Sequence, residues 1–330
     1  MAPAPGPRLM LHADDFGMNS AVNCGIVRGF THGLLTGTSL LANAPGCDDA
    51  IRLWKSLDED RQRGDLPSAE TRRQLADPLA PFDLGVHLNL TQGRPLTGYA
   101  FPGELLDDRG NFIGIFGLFR RLNRKRHRYQ PALQQELGCQ IERLLDSGLS
   151  LRHLNGHQYI ELIPSVAELI PGLARRYQLP IVRLARETGL WQSTVLPRRR
   201  WVAWLLAQVK RHFADQLALR LDRAGILHPQ AFYGTAHAGL VTFEVLQQFL
   251  SEPLAGETVE IGMHPGTLPS PACCSPLPAS QSAWEDPLAG TRVDELDLLQ
   301  SHLLADWLIS RGVRLSRFST LMKFTDRLAA

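Results

Sequence analysis

Short apolar runs alternate with amphipathic stretches along this chain. The runs are RLMLHA (8–13), TGTSLLAN (36–43), FDLGVHLNL (82–90), LRHLNGHQY (151–159), PIVRLA (180–185), TVEIGMH (258–264) and GVRLS (312–316). Most lead through a polar residue and a Gly, Pro or Asn into a new pattern. Residues 19–32, 131–147, 163–177 and 199–224 space their apolar positions as helices do. Strands alternating with helices predict an α/β protein with a mostly parallel sheet, and about seven such units predict a closed or nearly closed barrel. We read residues 1–330 as one barrel domain. The polar, Gly/Pro-punctuated segments 58–80 and 92–130 and the Pro/Ser-rich segment 267–290 read as insertions decorating one end.

Composition narrows the class. Hydrophobic content of 44% and charged content of 21% suit a globular chain with a sizeable core. A formal charge of +2 gives no overall pull towards nucleic acid. The five cysteines form no C-x-x-C pair and are odd in number, which points to a reducing compartment. The N-terminus MAPAPGPRLM has no apolar signal core, and no run of about eighteen apolar residues occurs. The expectation is a cytoplasmic protein.

In a parallel barrel the reactive groups sit at the carboxyl ends of the strands. Asp14 and Asp15 close the first run, His87 and Asn89 the third, and His157 the fourth; Arg183 lies late in the fifth, and His264 ends the sixth. Adjacent residues on an extended backbone face opposite ways, so Asp14 and Asp15 are set for two different tasks. By the same alternation, His153, Asn155, His157, Tyr159 and Glu161 share one face, which is unusually polar for a half-buried strand. Two imidazoles and one carboxylate from three strand ends make a three-ligand set with positions left open. Such a set suits one catalytic divalent ion, with zinc favoured by histidines and other divalent ions such as magnesium admitted. One acid of the pair would hold the ion while its neighbour takes a proton from the attacking water.

The motifs ADDFG (13–17), GVHLNL (85–90), HLNGHQ (153–158), VRLARE (182–187), AHAGLVT (236–242) and MHPG (263–266) occur in this order. With them the chain resembles the YdjC-like carbohydrate deacetylases, which include chitooligosaccharide deacetylases and hopanoid-associated deacetylases. The resemblance implies a distorted, TIM-like (β/α) barrel and metal-dependent hydrolysis of an N-acetyl group on an amino sugar. It assigns Asp14 as general base, Asp15, His87 and His157 as metal ligands, and His264 as acid or substrate-orienting residue. Asn43, Asn89, Asn155, Arg183 and His237 are the substrate-binding residues it implies, and Arg183 or Arg186 is placed to pair with Asp14. The fourth motif departs from the family pattern: Asn155, Tyr159 and Glu161 stand where many members carry Asp and two later histidines. Asn155 is similar to the hopanoid-associated branch. The expected substrate is therefore an N-acetylated amino sugar on a lipid such as a hopanoid, with chitobiose as the alternative. A sugar-binding barrel without turnover is the rival of another class.

Other signatures are missing. DFG at 15–17 lacks the Gly-rich loop, V-A-I-K lysine and H-R-D of kinases, and no H-E-x-x-H, P-loop or G-x-G-x-x-G is present. The basic stretches RRLNRKRHR (120–128) and PRRRWVAWLLAQVKRHF (197–213) read either as solvated helix faces or as an interfacial surface. In the second, Trp201, Trp204 and Leu205 lie at helical spacing beside Arg198, Arg199 and Arg200. The partners to look for are thus the amino-sugar substrate, a membrane touched peripherally and a second copy in a homodimer, but no nucleic acid.

Overall fold

A computed structural model describes residues 7–76, 82–124, 127–186, 200–251, 258–268 and 284–321, and within 200–208 only the backbone. The chain runs β1 (Arg8–Phe16), α1 (Ser20–Thr31), β2 (Gly37–Leu40), α2 (Cys47–Arg63), α3 (Ala69–Leu75), β3 (Asp83–Leu88), α4 (Gly114–Arg124), α5 (Gln130–Asp146) and β4 (His153–Gly156). It continues through α6 (Pro164–Ala167), α7 (Ile170–Arg176), β5 (Ile181–Val182), α8 (Arg200–Ala224), β6 (Ala231–Tyr233), α9 (Phe243–Phe249), β7 (Thr258–Met263), α10 (Arg292–Gln300), α11 (His302–Ser310) and β8 (Arg314–Leu315). The strands are parallel, in the order β5-β4-β3-β2-β1-β7-β6, with β8 added beside the start of β1. The two outer strands approach each other: Leu227, ahead of β6, donates its N–H to Pro180 and accepts from Val182 of β5, and Phe232 N–H of β6 donates to the Arg186 carbonyl beyond β5. The result is the distorted TIM-like barrel of the expectation.

Burial explains the strand signal. Every residue of β2, β3, β4 and β7 is buried, as it must be when helices cover one side and the barrel interior the other. Leu9, Leu11, Leu84, Val86, Leu154, Val259 and Ile261 belong to one continuous core. On that lattice the interior polar side chains are the informative exceptions.

Four local features differ from the simple pattern. Residues 163–177 form two short helices, because Pro171 occupies the first turn of α7 and supplies no N–H to continue α6. The three-residue strand β6, between Pro229 and Gly234, is too short to show a period. Residues 58–63 complete α2 and residues 69–75 form α3, so helix occupies much of the 58–80 segment. The extended run from His153 stops at Gly156, since Gln158 and Tyr159 turn into the left-handed region. The shared face thus ends there, and Glu161 reaches the interior on a 3-10 turn instead.

Candidate metal centre

The β1 end is shaped by a break in its ladder. The β1–β2 register shifts between Ala13 and Phe16, and Asp15 takes a left-handed conformation with φ 68°. Such a backbone is costly for a residue other than glycine and persists only where its surroundings hold it. Met18 N–H donates back to the Asp15 carbonyl at 2.9 Å, and Gly17 N–H donates to Asn23 Oδ1 at 2.7 Å. Gly17 itself has φ 92°, and a side chain there would press on the Leu41 carbonyl. The two acids diverge because of this kink, not through plain strand alternation, and both stay buried in the interior.

Asp15 faces β3 and β4. Its Oδ1 lies 3.0 Å from His157 Nδ1 and 3.6 Å from His87 Nε2, and its Oδ2 accepts from Arg292 Nη2 at 2.8 Å. One ligand atom from each of Asp15, His87 and His157 lies within 4.8 Å of the others, and all three residues are buried. Burial would push the Asp15 carboxyl up, but Arg292 and hydrogen bonds from His157 and His87 outweigh it and hold it well below the usual range. Burial likewise pulls His87 down, yet the carboxylates of Asp14 and Asp15 leave it above its ordinary value. Supporting contacts orient the donors. Asn155 Oδ1 accepts from His87 Nδ1 at 2.9 Å, with Ser39 Oγ 3.2 Å from the same nitrogen. The other ring nitrogen of His87 is thereby turned to Asp15. Arg292 is itself clamped by Asp286. His157 Nε2 is buried without a hydrogen-bond partner among the described residues. A carboxylate held by Arg292, an imidazole oriented by Asn155 and a second imidazole facing the same carboxylate fit a divalent ion.

Asp14 faces the other way. Its Oδ2 accepts from Arg183 Nη1 at 2.6 Å and its Oδ1 from Asn155 Nδ2 at 3.1 Å. Burial opposes ionisation, but Arg183 and then His87 hold the Asp14 carboxyl well below the usual range. Arg183 donates through Nε to Glu260 at 2.6 Å and lies 4.9 Å over the Phe232 ring. Its Nη2 also meets His12 Nδ1 at 2.6 Å. The same His12 Nδ1 lies 3.1 Å from Asp14 Oδ1, so the ring sits between the arginine and the carboxylate, and its Nε2 is 2.8 Å from His153 Nε2. Burial, then Arg183, pulls His12 down to about 4, and burial pulls His153 well below its usual value. This neutral histidine pair backs the arginine.

Asn155 and Arg183 therefore spend their polar atoms inside the site, as positioning groups between Asp14 and its surroundings. Of the two arginines considered, Arg183 pairs with Asp14, whereas Arg186 pairs with Asp215 at 2.8 Å. Asn43 and Asn89 hold a loop: Asn89 donates to Asn43 Oδ1 and to the Gln92 carbonyl, and Asn43 donates to the carbonyls of Gln92 and Arg94. His237 is buried edge-on to Phe249, 5.3 Å between ring centres. His264 ends β7 with its N–H donating to Glu295 at 2.5 Å and its carbonyl accepting from Arg292. Burial pulls its ring below the usual value, and its Nδ1 has no hydrogen-bond partner among the described residues.

Sequence reasoning missed His12, Glu260, Arg292 and Glu295. His12 and Glu260 could have been found as ionisable residues inside apolar strands. Arg292 and Glu295 lie on α10, which carries no comparable signal. Trp201 and Trp204 lie outside the residues whose side chains are described, as does most of 267–290.

Fold and site together define a class: a parallel α/β barrel whose carboxyl-end mouth carries a buried Asp-His-His donor set beside a second, ionised carboxylate. Residues 8–310 match the sequence profile of the YdjC-like proteins, and the chain belongs to that family. It is 31% identical to a carbohydrate deacetylase of Vibrio cholerae over 316 residues, covering 96% of each chain. It is also 28% identical to a mouse carbohydrate deacetylase, again over 96% of each chain. A crystal structure from Enterococcus faecalis, of a protein provisionally assigned to cellobiose-phosphate cleavage, superposes with a TM-score of 0.65 at 21% identity. That likeness covers 96% of this chain and 99% of the other and speaks to the fold alone.

Proposed function

We propose that this chain is a carbohydrate deacetylase that hydrolyses the N-acetyl group of an amino sugar. In this reading Asp15, His87 and His157 hold one divalent ion, and Asp14 is the base. The observation that carries it is a division of labour between adjacent acids: each is buried and held ionised by its own arginine, one within the donor triad and one outside it. A divalent ion bound to this set supplies Lewis-acid polarisation and a more acidic water; two imidazoles favour zinc over magnesium.

The remaining chemistry falls to side chains. Asp14 takes a proton from the attacking water while Arg183 and Asn155 keep its carboxylate in place. A C–O bond forms at the acetyl carbon, the C–N bond breaks, and the leaving amine must gain a proton to depart. His264 is the proton carrier in this reading: it starts neutral, takes over the proton that Asp14 removed from the water and passes it to the leaving nitrogen, which returns both side chains to their starting states.

For the substrate we infer an N-acetylated amino sugar on a lipid, such as an N-acetylglucosaminyl hopanoid, with chitobiose as the alternative. The Asn155 form of the fourth motif and the basic, aromatic stretches support the lipid-borne sugar. Among the described residues no helix is long and apolar enough to cross a membrane, so such a substrate would be met at the surface. Mass spectrometry of a panel of N-acetylated glycans and glycolipids, with and without chelator, tests the proposal. Chelator-sensitive release of acetate is the expected result. Sugar binding without release would overturn it in favour of the silent barrel, and turnover of chitobiose alone would remove the glycolipid.

A further inference from the structure

Helix α4 is amphipathic in an unusual sense. Its inner side is Leu118 and Leu122, both fully buried. At about 100° per residue, Phe119, Asn123, Phe116, Arg120 and Arg124 follow one another around the opposite arc. Phe116 is 86% exposed and Phe119 39% exposed, and Arg120, Arg121 and Arg124 are all exposed. None of these three arginines makes an ion pair with a described residue, and α4 contains no acid. Of the acids on the preceding turns, Glu104 is engaged by Arg128 and Tyr129 and Asp107 by the N–H groups of Arg109 and Asn111, which leaves Asp108 exposed against three arginines. Phe116, almost wholly in water, and the partly exposed Phe119 thus stand among arginines that pair with no described residue, an arrangement costly to leave in water.

The patch extends onto α8 and towards the mouth. Phe119 packs edge-on against Phe213 of α8, 6.2 Å between ring centres. Val209, one turn earlier on α8, is 46% exposed. On the same helix Lys210 Nζ lies 4.5 Å above the ring of Tyr159, two residues after the ligand candidate His157. The face formed by α4 and α8 therefore adjoins the turn that carries His157.

We propose that this face docks the protein on a bilayer rich in anionic lipid, with Phe116 and Phe119 entering the headgroup region and Arg120, Arg121 and Arg124 against the lipid charges. The inference rests on the lipid-borne substrate for its purpose, and names the surface that brings the mouth to it. Charge selects the occupant. A two-fold contact with a second copy through α4 would set these arginines against their own counterparts, whereas anionic headgroups complement all three at once. Phenylalanine on one side of a helix with arginine beside it is the pattern of an interfacial helix.

Co-sedimentation of the full chain with vesicles carrying no amino sugar tests the surface. Each arginine contributes about fivefold near an anionic surface, so phosphatidylglycerol-containing vesicles should be preferred over pure phosphatidylcholine on the order of a hundredfold at low salt. The preference should shrink as salt is raised. Phe116→Ser touches no packed neighbour and should weaken binding roughly tenfold; Arg120→Gln/Arg124→Gln should remove most of the anionic preference. Circular dichroism and thermal melts confirm that the variants fold. Equal binding to both vesicle types, or binding unchanged in the variants, would overturn the proposal. So would variants that alter oligomeric mass by light scattering and not vesicle binding, since α4 would then be a contact between copies. Docking that persists while the glycolipid releases no acetate would instead refute the substrate reading and leave this surface standing.

Discussion

Replacing Glu161 with glutamine should stabilise the protein above neutral pH and not below it. Glu161 is fully buried, and neither carboxyl oxygen has a hydrogen-bond partner among the described residues. Burial pushes its carboxyl from 4.5 up to about 7, against the lowering pull of Arg183 and His87. The folded protein therefore keeps a proton that the unfolded chain releases. Below about 4.5 both forms are protonated and the group costs no ionisation energy; between 4.5 and 7 stability falls as pH rises. With about 1.4 kcal/mol for each tenfold change in proton affinity, the loss approaches a ceiling of about 3 kcal/mol above pH 7. Glutamine cannot ionise, but its unpartnered amide costs about 1–2 kcal/mol at every pH. Glu161→Gln should thus match or fall slightly below the parent at pH 5 and exceed it at pH 8. Guanidinium unfolding at both pH values, in chelator so that neither protein holds metal, measures the difference between the two gaps. A gap that is the same at pH 5 and pH 8 would refute the reasoning, because it would show that Glu161 does not change protonation differently in the two states.

Three further outcomes follow from the site. His87→Ala and His157→Ala should each cut bound divalent metal at least tenfold by elemental analysis and abolish acetate release; full occupancy in both would remove them as ligands. Asp14→Asn should keep its metal while turnover falls by about 10²–10⁴-fold, whereas Asp15→Asn should lose both, and equal metal with equal activity in the pair would show that the roles are not divided. Arg292→Gln removes the donor on Asp15 Oδ2 and should weaken metal affinity about 10–100-fold in a competition titration, while unchanged affinity would make Arg292 a purely structural contact.

Much of this protein is written locally. Parallel strands covered on both sides must be apolar throughout, so runs such as those around Leu84 and Val259 announce themselves, and a polar residue at the end of one marks the mouth. That is why Asp14, Asp15, His87 and His157 could be named from the chain alone. Tertiary structure decided what each of them does. Asp15 turns to the histidines because its backbone adopts a left-handed kink held by neighbouring segments, which alternation cannot foresee. Its charge is held by Arg292, 277 residues away, and that of Asp14 by Arg183, 169 residues away. Arg183 is in turn held between Glu260 and the His12–His153 pair. Hydrophobic patterning records which side of an element is buried; it carries no record of which ionisable groups the folded barrel brings within hydrogen-bonding distance. Those pairings are short-range and depend on packing, so they exist only once the strands are assembled.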